Sequence, residues 1–138
     1  MIYSVKGQLS LILDDSVIID VNGVGYEVLI PTLIRQNLPP QGASVTLYTY
    51  HSIREDSQQL FGFLDLESRQ LFIQTLCVNG LGPKVALKLF SNLTSEQIIS
   101  AIASQNIPTL TSVPGIGKKM AEKMILELKD KLNHIELG

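Results

Sequence analysis

The chain has 138 residues, 45% of them hydrophobic, which is enough for one ordinary domain or two small ones with a real core and excludes a disordered or collagen-like chain. Eleven Lys and Arg stand against 13 Asp and Glu, a net charge of −2 that announces no nucleic-acid binder by itself. One cysteine, Cys77, rules out an internal disulfide, and with His51 and His134 the only histidines no metal-spaced cluster exists, so neither a metal nor another cofactor is expected.

No stretch approaches the ~18 to 20 apolar residues of a membrane span, and Lys6, Gly7, Gln8 and Ser10 interrupt the first apolar run. The expectation is a soluble cytoplasmic protein with a reduced thiol and no membrane partner. The charges are unevenly spread. Residues 1–64 hold three basic and six acidic side chains, whereas residues 65–138 hold eight basic and seven acidic, with the lysines clustered.

In chain order, segments 2–13, 17–21, 24–30, 44–50 and 59–63 are short, rich in Val, Ile, Leu, Tyr and Phe, and separated by turn residues, so they read as strands. Asn22-Gly23 between two β-branched runs predicts a tight hairpin, because both residues tolerate the positive φ of a primed turn. Five strands in 64 residues suggest a small closed barrel, with the five-stranded OB-fold as the commonest candidate. The alternation of Tyr48/Tyr50 and Phe61/Phe63 is read as barrel core rather than as a platform for single-stranded bases.

From Asp65 onward the pattern is helical. Asp65 can cap a helix to about Val78, with Leu66, Phe72, Ile73 and Leu76 near one face. Thr94-Ser95-Glu96-Gln97 fits a capping box that opens a helix to about Ala103. A last helix, roughly Lys118 to Asn133, puts Ala121, Met124, Ile125, Leu128 and Leu132 on one stripe. Cys77, at an apolar helix end with no nearby His, is expected to be a buried structural thiol.

An internal repeat carries the functional reading. Residues 78–88, VNGLGPKVALK, align with residues 113–123, VPGIGKKMAEK, at a spacing of 35. Two glycines flanking a hydrophobe allow a tight reversal and a close approach of bare backbone to another molecule. The helix that follows starts with unpaired N–H groups and a positive dipole end beside a lysine, a natural site for a phosphate. Tight turns with solvated lysines would look the same in a single copy; two matched copies argue for more.

Both copies resemble the helix-hairpin-helix motif, which grips DNA backbones without reading base sequence. The resemblance implies DNA contacts at Gly80, Gly82, Lys84 and Lys88 in the first copy, and at Gly115, Gly117, Lys118, Lys119 and Lys123 in the second. A tandem pair behind a small barrel, together with Val21-Asn22-Gly23-Val24-Gly25-Tyr26-Glu27-Val28, Arg54-Glu55-Asp56 and Leu60-Phe61-Gly62-Phe63, resembles the RuvA family of bacterial Holliday-junction branch-migration subunits over essentially the whole chain. That resemblance implies an OB-fold-like barrel at 1–64 and a helical domain with two helix-hairpin-helix motifs at 65–138. It implies a homotetramer, or two tetramers sandwiching a four-way junction, in DNA recombination, repair and the SOS response to DNA damage, with the motor ATPase RuvB and the junction resolvase RuvC as partners. Family members continue through a linker into a third small helical domain that contacts RuvB. This sequence stops at Gly138, so motor coupling is the family property in doubt here.

Glu55 and Asp56 occupy a polar stretch between two strands and, as bare sequence, make an ordinary hairpin tip. In the family this loop is an acidic pin at the centre of the ring, where carboxylates repel phosphates and favour an open crossing over continuous duplex. Enzyme signatures fail on residue identity. A Walker loop ending at Gly117-Lys118 needs Gly where Ser112 stands and Ser or Thr where Lys119 stands. Gly23-Val24-Gly25 lacks the third glycine and following helix of a dinucleotide fingerprint. The reading is therefore a non-enzymatic, structure-selective junction binder. A generic duplex-binding module of a repair enzyme and a protein-interaction scaffold are the alternatives.

Overall fold

The structure, a computed structural model, describes residues 1–134. Two compact units are present, Met1–Arg69 and a second beginning at Gln70. The first is a closed barrel of β1 (Ser4–Ile12), β2 (Ser16–Val21), β3 (Val24–Leu29), β4 (Ser44–Ile53) and β5 (Gln58–Phe63) in the order β1-β2-β3-β5-β4. All neighbours are antiparallel except β3 and β5, whose parallel pairing at Val28↔Leu60 and Leu29↔Phe61 closes the barrel as in an OB-fold. Closure leaves no long unpaired edge. The predicted hairpin turn is formed by Asn22 and Gly23 at φ 53° and 91°, and the Asp20 carboxylate accepts from Gly23 N–H at 2.8 Å. A 3₁₀ turn at Thr32–Asn37, which the strand pattern does not announce, precedes β4.

Period-two alternation fills the interior with Val5, Leu9, Val17, Ile19, Val28, Ile30, Val45, Leu47 and Leu60. Tyr48, Tyr50, Phe61 and Phe63 have the opposite parity: Phe61 and Phe63 are core as expected but do not belong to the inner cluster, and the expectation of core is corrected for Tyr48 and Tyr50, which are only half-buried. Tyr48 pairs with Phe63 and Tyr50 with Phe61 on the outer face, where the tyrosines are half-buried and the phenylalanines fully buried. Alternation identifies two faces but does not say which is inside. The inaccessible Phe61 and Phe63 offer no stacking surface for bases.

The N-terminal residues are tied to β4. Thr49 N–H donates to the Tyr3 carbonyl at 2.7 Å, the Thr49 hydroxyl to the Ile2 carbonyl at 2.7 Å, and Ile2 N–H to His51 Nδ1 at 3.1 Å. Because Nδ1 accepts, the ring proton sits on Nε2, which donates to Gln58 Oε1 at 2.9 Å. His51 thus has two partners that its sequence position does not reveal.

The helices are α1 (Leu66–Leu76), α2 (Pro83–Asn92), α3 (Ser95–Ala103), α4 (Ile107–Thr111) and α5 (Lys118–Leu128), followed by a 3₁₀ turn at Lys131–His134. The unit boundary falls inside α1. Ser68 N–H donates to the Asp65 carboxylate at 2.7 Å, the expected cap, and Thr94 and Gln97 form the expected reciprocal box. The α1 stripe is shifted from its predicted face. Leu71, Phe72 and Thr75 are buried, whereas Leu66 is exposed and Ile73 and Leu76 are only half-buried. Cys77 lies off that stripe and is exposed, which corrects its reading as a buried thiol; its Sγ faces the Ile73 carbonyl at 3.6 Å. The stripe of Ala121, Met124, Ile125, Leu128 and Leu132 is buried throughout, although the α-helix ends at Leu128 and Leu132 comes from the 3₁₀ turn. Residues 135–138 of the predicted second region, and the His134 side chain, lie outside the described residues.

Candidate nucleic-acid interface

The repeat is a repeat of structure. Val78, Leu81, Ala86, Leu89, Phe90 and Leu93 are buried, and so are their partners 35 residues on: Val113, Ile116, Ala121, Met124, Ile125 and Leu128. The burial match runs five residues past the sequence match. In each copy a tight turn joins two helices. Leu81 N–H donates to the Val78 carbonyl at 3.0 Å and Ile116 N–H to the Val113 carbonyl at 3.1 Å, with Gly80 and Gly115 at φ 92° and 93°. A positive φ at the third residue is the signature of a type II turn and costs an L side chain about 1–2 kcal/mol. The central hydrophobe points into the core and anchors the turn.

The second glycine of each motif has a different reason to be there. Gly82 and Gly117 are the N-cap residues of α2 and α5, with φ −86° and −90°, ordinary extended backbone. A Cβ built on either would meet nothing within 4 Å. The fold does not require glycine at these two positions. Among the described residues, α1, α3 and α4 are capped by the side chains of Asp65, Thr94 and Asn106, whereas α2 and α5 receive no side-chain cap. The two helices that follow the hairpins are thus the ones whose first-turn amides face outward without a side-chain acceptor, and their dipoles leave positive ends there. Lys84, Lys88, Lys118 and Lys119 are exposed around them and Lys123 is half-buried.

The structure brings the two copies together reciprocally. A methyl built on Gly80 would lie 3.3 Å from Met120 Cε, and one built on Gly115 would lie 3.6 Å from Val85 Cγ1. Val85 and Met120 are themselves matched positions of the repeat. Each hairpin glycine therefore faces the first-turn hydrophobe of the other copy's second helix, a reciprocal arrangement of the kind a local two-fold between the hairpins gives. Glu55 and Asp56 belong to the first unit, at the exposed two-residue tip of the β4–β5 hairpin, closed by a 2.8 Å hydrogen bond from Arg54 N–H to the Ser57 carbonyl.

Comparison with known proteins agrees with both halves. The family model "RuvA N terminal domain" matches residues 1–62, and "SAM-like Helix-hairpin-helix tandem" matches residues 72–130. Proteins named Holliday junction branch migration complex subunit RuvA are similar over nearly the whole chain. The one from Chromobacterium violaceum is 46% identical over 96% of this chain and 67% of its own length. The one from Geobacter sulfurreducens is 42% identical over 100% and 69%. The chain belongs to the RuvA family. It spans about two thirds of the length of these relatives, 64% in the 42%-identical protein of Lachnospira eligens. Within this RuvA-family chain, the hairpin glycines and lysines are the candidate positions to which the sequence repeat draws attention. The repeat does not show the fold's indifference to Gly82 and Gly117, which only the open space around them reveals.

Proposed function

We propose that this chain binds four-way DNA junctions by structure and not by sequence, as the non-enzymatic DNA-holding subunit of a branch-migration machine. The observation that carries this reading is the pair of uncapped helix N-termini, each begun by a glycine the fold does not need, flanked by lysines and arranged reciprocally, as a local two-fold would place them. Two phosphate-backbone strands of one duplex are also related by a two-fold, so the hairpin pair fits one duplex arm with one hairpin on each strand. The contacts are Gly80, Gly82, Lys84 and Lys88 on one side and Gly115, Gly117, Lys118, Lys119 and Lys123 on the other.

One hairpin pair serves one arm, so four equivalent arms call for a closed homotetramer with four-fold symmetry, and a second tetramer can cover the opposite face of the junction. Glu55 and Asp56 then act at the centre as carboxylates that repel continuous duplex. The motor RuvB and the resolvase RuvC are the partners that family membership suggests. Among the described residues no helix is long and apolar enough to cross a membrane. A gel shift comparing a four-way junction with linear duplex of equal length tests the reading. Preferential retention of the junction supports it, equal retention points to a generic duplex-binding module, and no retention at low salt removes DNA altogether.

A further inference from the structure

The two hairpins share a backbone but differ in chemistry. At the exposed second residue of the turn the first copy has Asn79 and the second has Pro114. At the first helical residue the first copy has Pro83, which carries no N–H and no charge, and the second has Lys118, which carries both. The following position is lysine in each, Lys84 and Lys119. The first turn of α5 therefore presents three outward amides and two cations, and the first turn of α2 two amides and one cation. Asn79 instead adds a neutral side chain that both donates and accepts. A phosphate only accepts and the deoxyribose of a DNA strand carries no N–H or O–H, so within a duplex the accepting half of Asn79 finds a donor only at base edges, where donors and acceptors are both found.

We propose that the two hairpins hold the two strands of a duplex arm by different means, the second as a charged phosphate clamp and the first as a lighter grip completed by Asn79 in the groove. This rests on the DNA reading above. In a ring of identical subunits each arm is met in the same orientation, so the clamped strand has the same polarity in all four arms. Its complement is held more loosely.

Phosphate ethylation interference on a four-way junction, with each strand labelled in turn, tests this on the full chain. Ethylation removes a phosphate's charge, so it should block binding strongly on the strand of one polarity in every arm and weakly on its complement. Asn79→Pro with Pro83→Lys rewrites the first hairpin in the chemistry of the second, on a turn that Pro114 shows to accept proline. This variant should make interference equal on both strands and steepen the salt dependence by about one unit of log–log slope. Pro114→Asn with Lys118→Pro should weaken interference on the strongly affected strand. Equal interference in the unaltered protein, or an unequal pattern that survives the first exchange, overturns the proposal while leaving junction binding intact. Absence of any complex at low salt overturns the DNA reading instead.

Discussion

The guanidinium of Arg69 lies over the ring of Tyr3, 3.7 Å from its centroid. Its Nε donates to the Thr49 carbonyl at 2.6 Å, and the group is buried. Thr49 in turn holds Ile2 and Tyr3 through its hydroxyl and N–H. One side chain at the start of α1 thereby fixes the N-terminal residues, strand β4 and the first helical turn. Arg69→Ala should destabilise the first unit by about 2 kcal/mol, from an orphaned buried carbonyl and the lost stacking. Arg69→Lys should rescue little, since an ammonium has neither the planar face nor the fork. Urea unfolding followed by tyrosine fluorescence measures both, and a loss under about 0.5 kcal/mol in the alanine variant would count against this role.

Serine is a better N-cap than glycine and fits the open space at Gly82 and Gly117. Gly82→Ser and Gly117→Ser should therefore leave thermal stability equal or slightly raised, while weakening junction binding, because the hydroxyl takes up the amides meant for a phosphate. Gly80→Ala should behave oppositely in origin, losing about 1–2 kcal/mol of stability to its positive φ and crowding Met120. Thermal melts paired with junction titrations separate the two classes; serine variants that bind as tightly as the parent would place the amides outside the interface.

Binding through phosphates should weaken steeply with salt and depend little on the base composition of the arms. Lys118→Ala and Lys119→Ala should each lower the log–log salt slope by about one. An unchanged slope would remove the second hairpin from the contact.

Replacing Glu55 and Asp56 with Gln and Asn should leave junction affinity equal or higher and raise affinity for linear duplex more, so that selectivity falls. The effect should fade at high salt, because charges at an exposed tip are screened within about 8–10 Å. Competition binding at low and high salt measures it, and an unaltered junction-to-duplex ratio at low salt would reduce the tip to a plain turn.

A stability change is expected where α3 ends. Gln105 sits at φ 56°, with its own N–H on the Ile102 carbonyl at 3.2 Å and Asn106 N–H on the Ala101 carbonyl at 2.8 Å, a position that favours glycine. Gln105→Gly should stabilise the second unit by about 0.5–1 kcal/mol, measured by calorimetry, with junction binding unchanged.

The sequence declares the strands through β-branched alternation between turn residues, and the hairpins through the 35-residue repeat. Its silences have physical causes. Parity along β4 and β5 was visible but its sense was not, because β5 buries both faces, Leu60 inward and Phe61 and Phe63 outward. The five-residue α4 is too short to show a helical period, and Cys77 lies beyond the last full turn where periodicity can assign a face. Arg69 is missed because a basic residue in a first helical turn ordinarily faces solvent, and the carbonyl that receives it lies 20 residues away. The candidate site was legible in its residues but not in the reason for its second glycines.

The reciprocal contacts of Gly80 with Met120 and of Gly115 with Val85 have a consequence for transplantation. Each hairpin is propped by the other's helix, so neither is a portable part. A graft of residues 78–88 or 113–123 alone into a foreign scaffold would carry the letters of the motif without the neighbour that sets its shape, whereas the stretch from α1 to α5 brings its own mould. The smallest transferable grip is the pair.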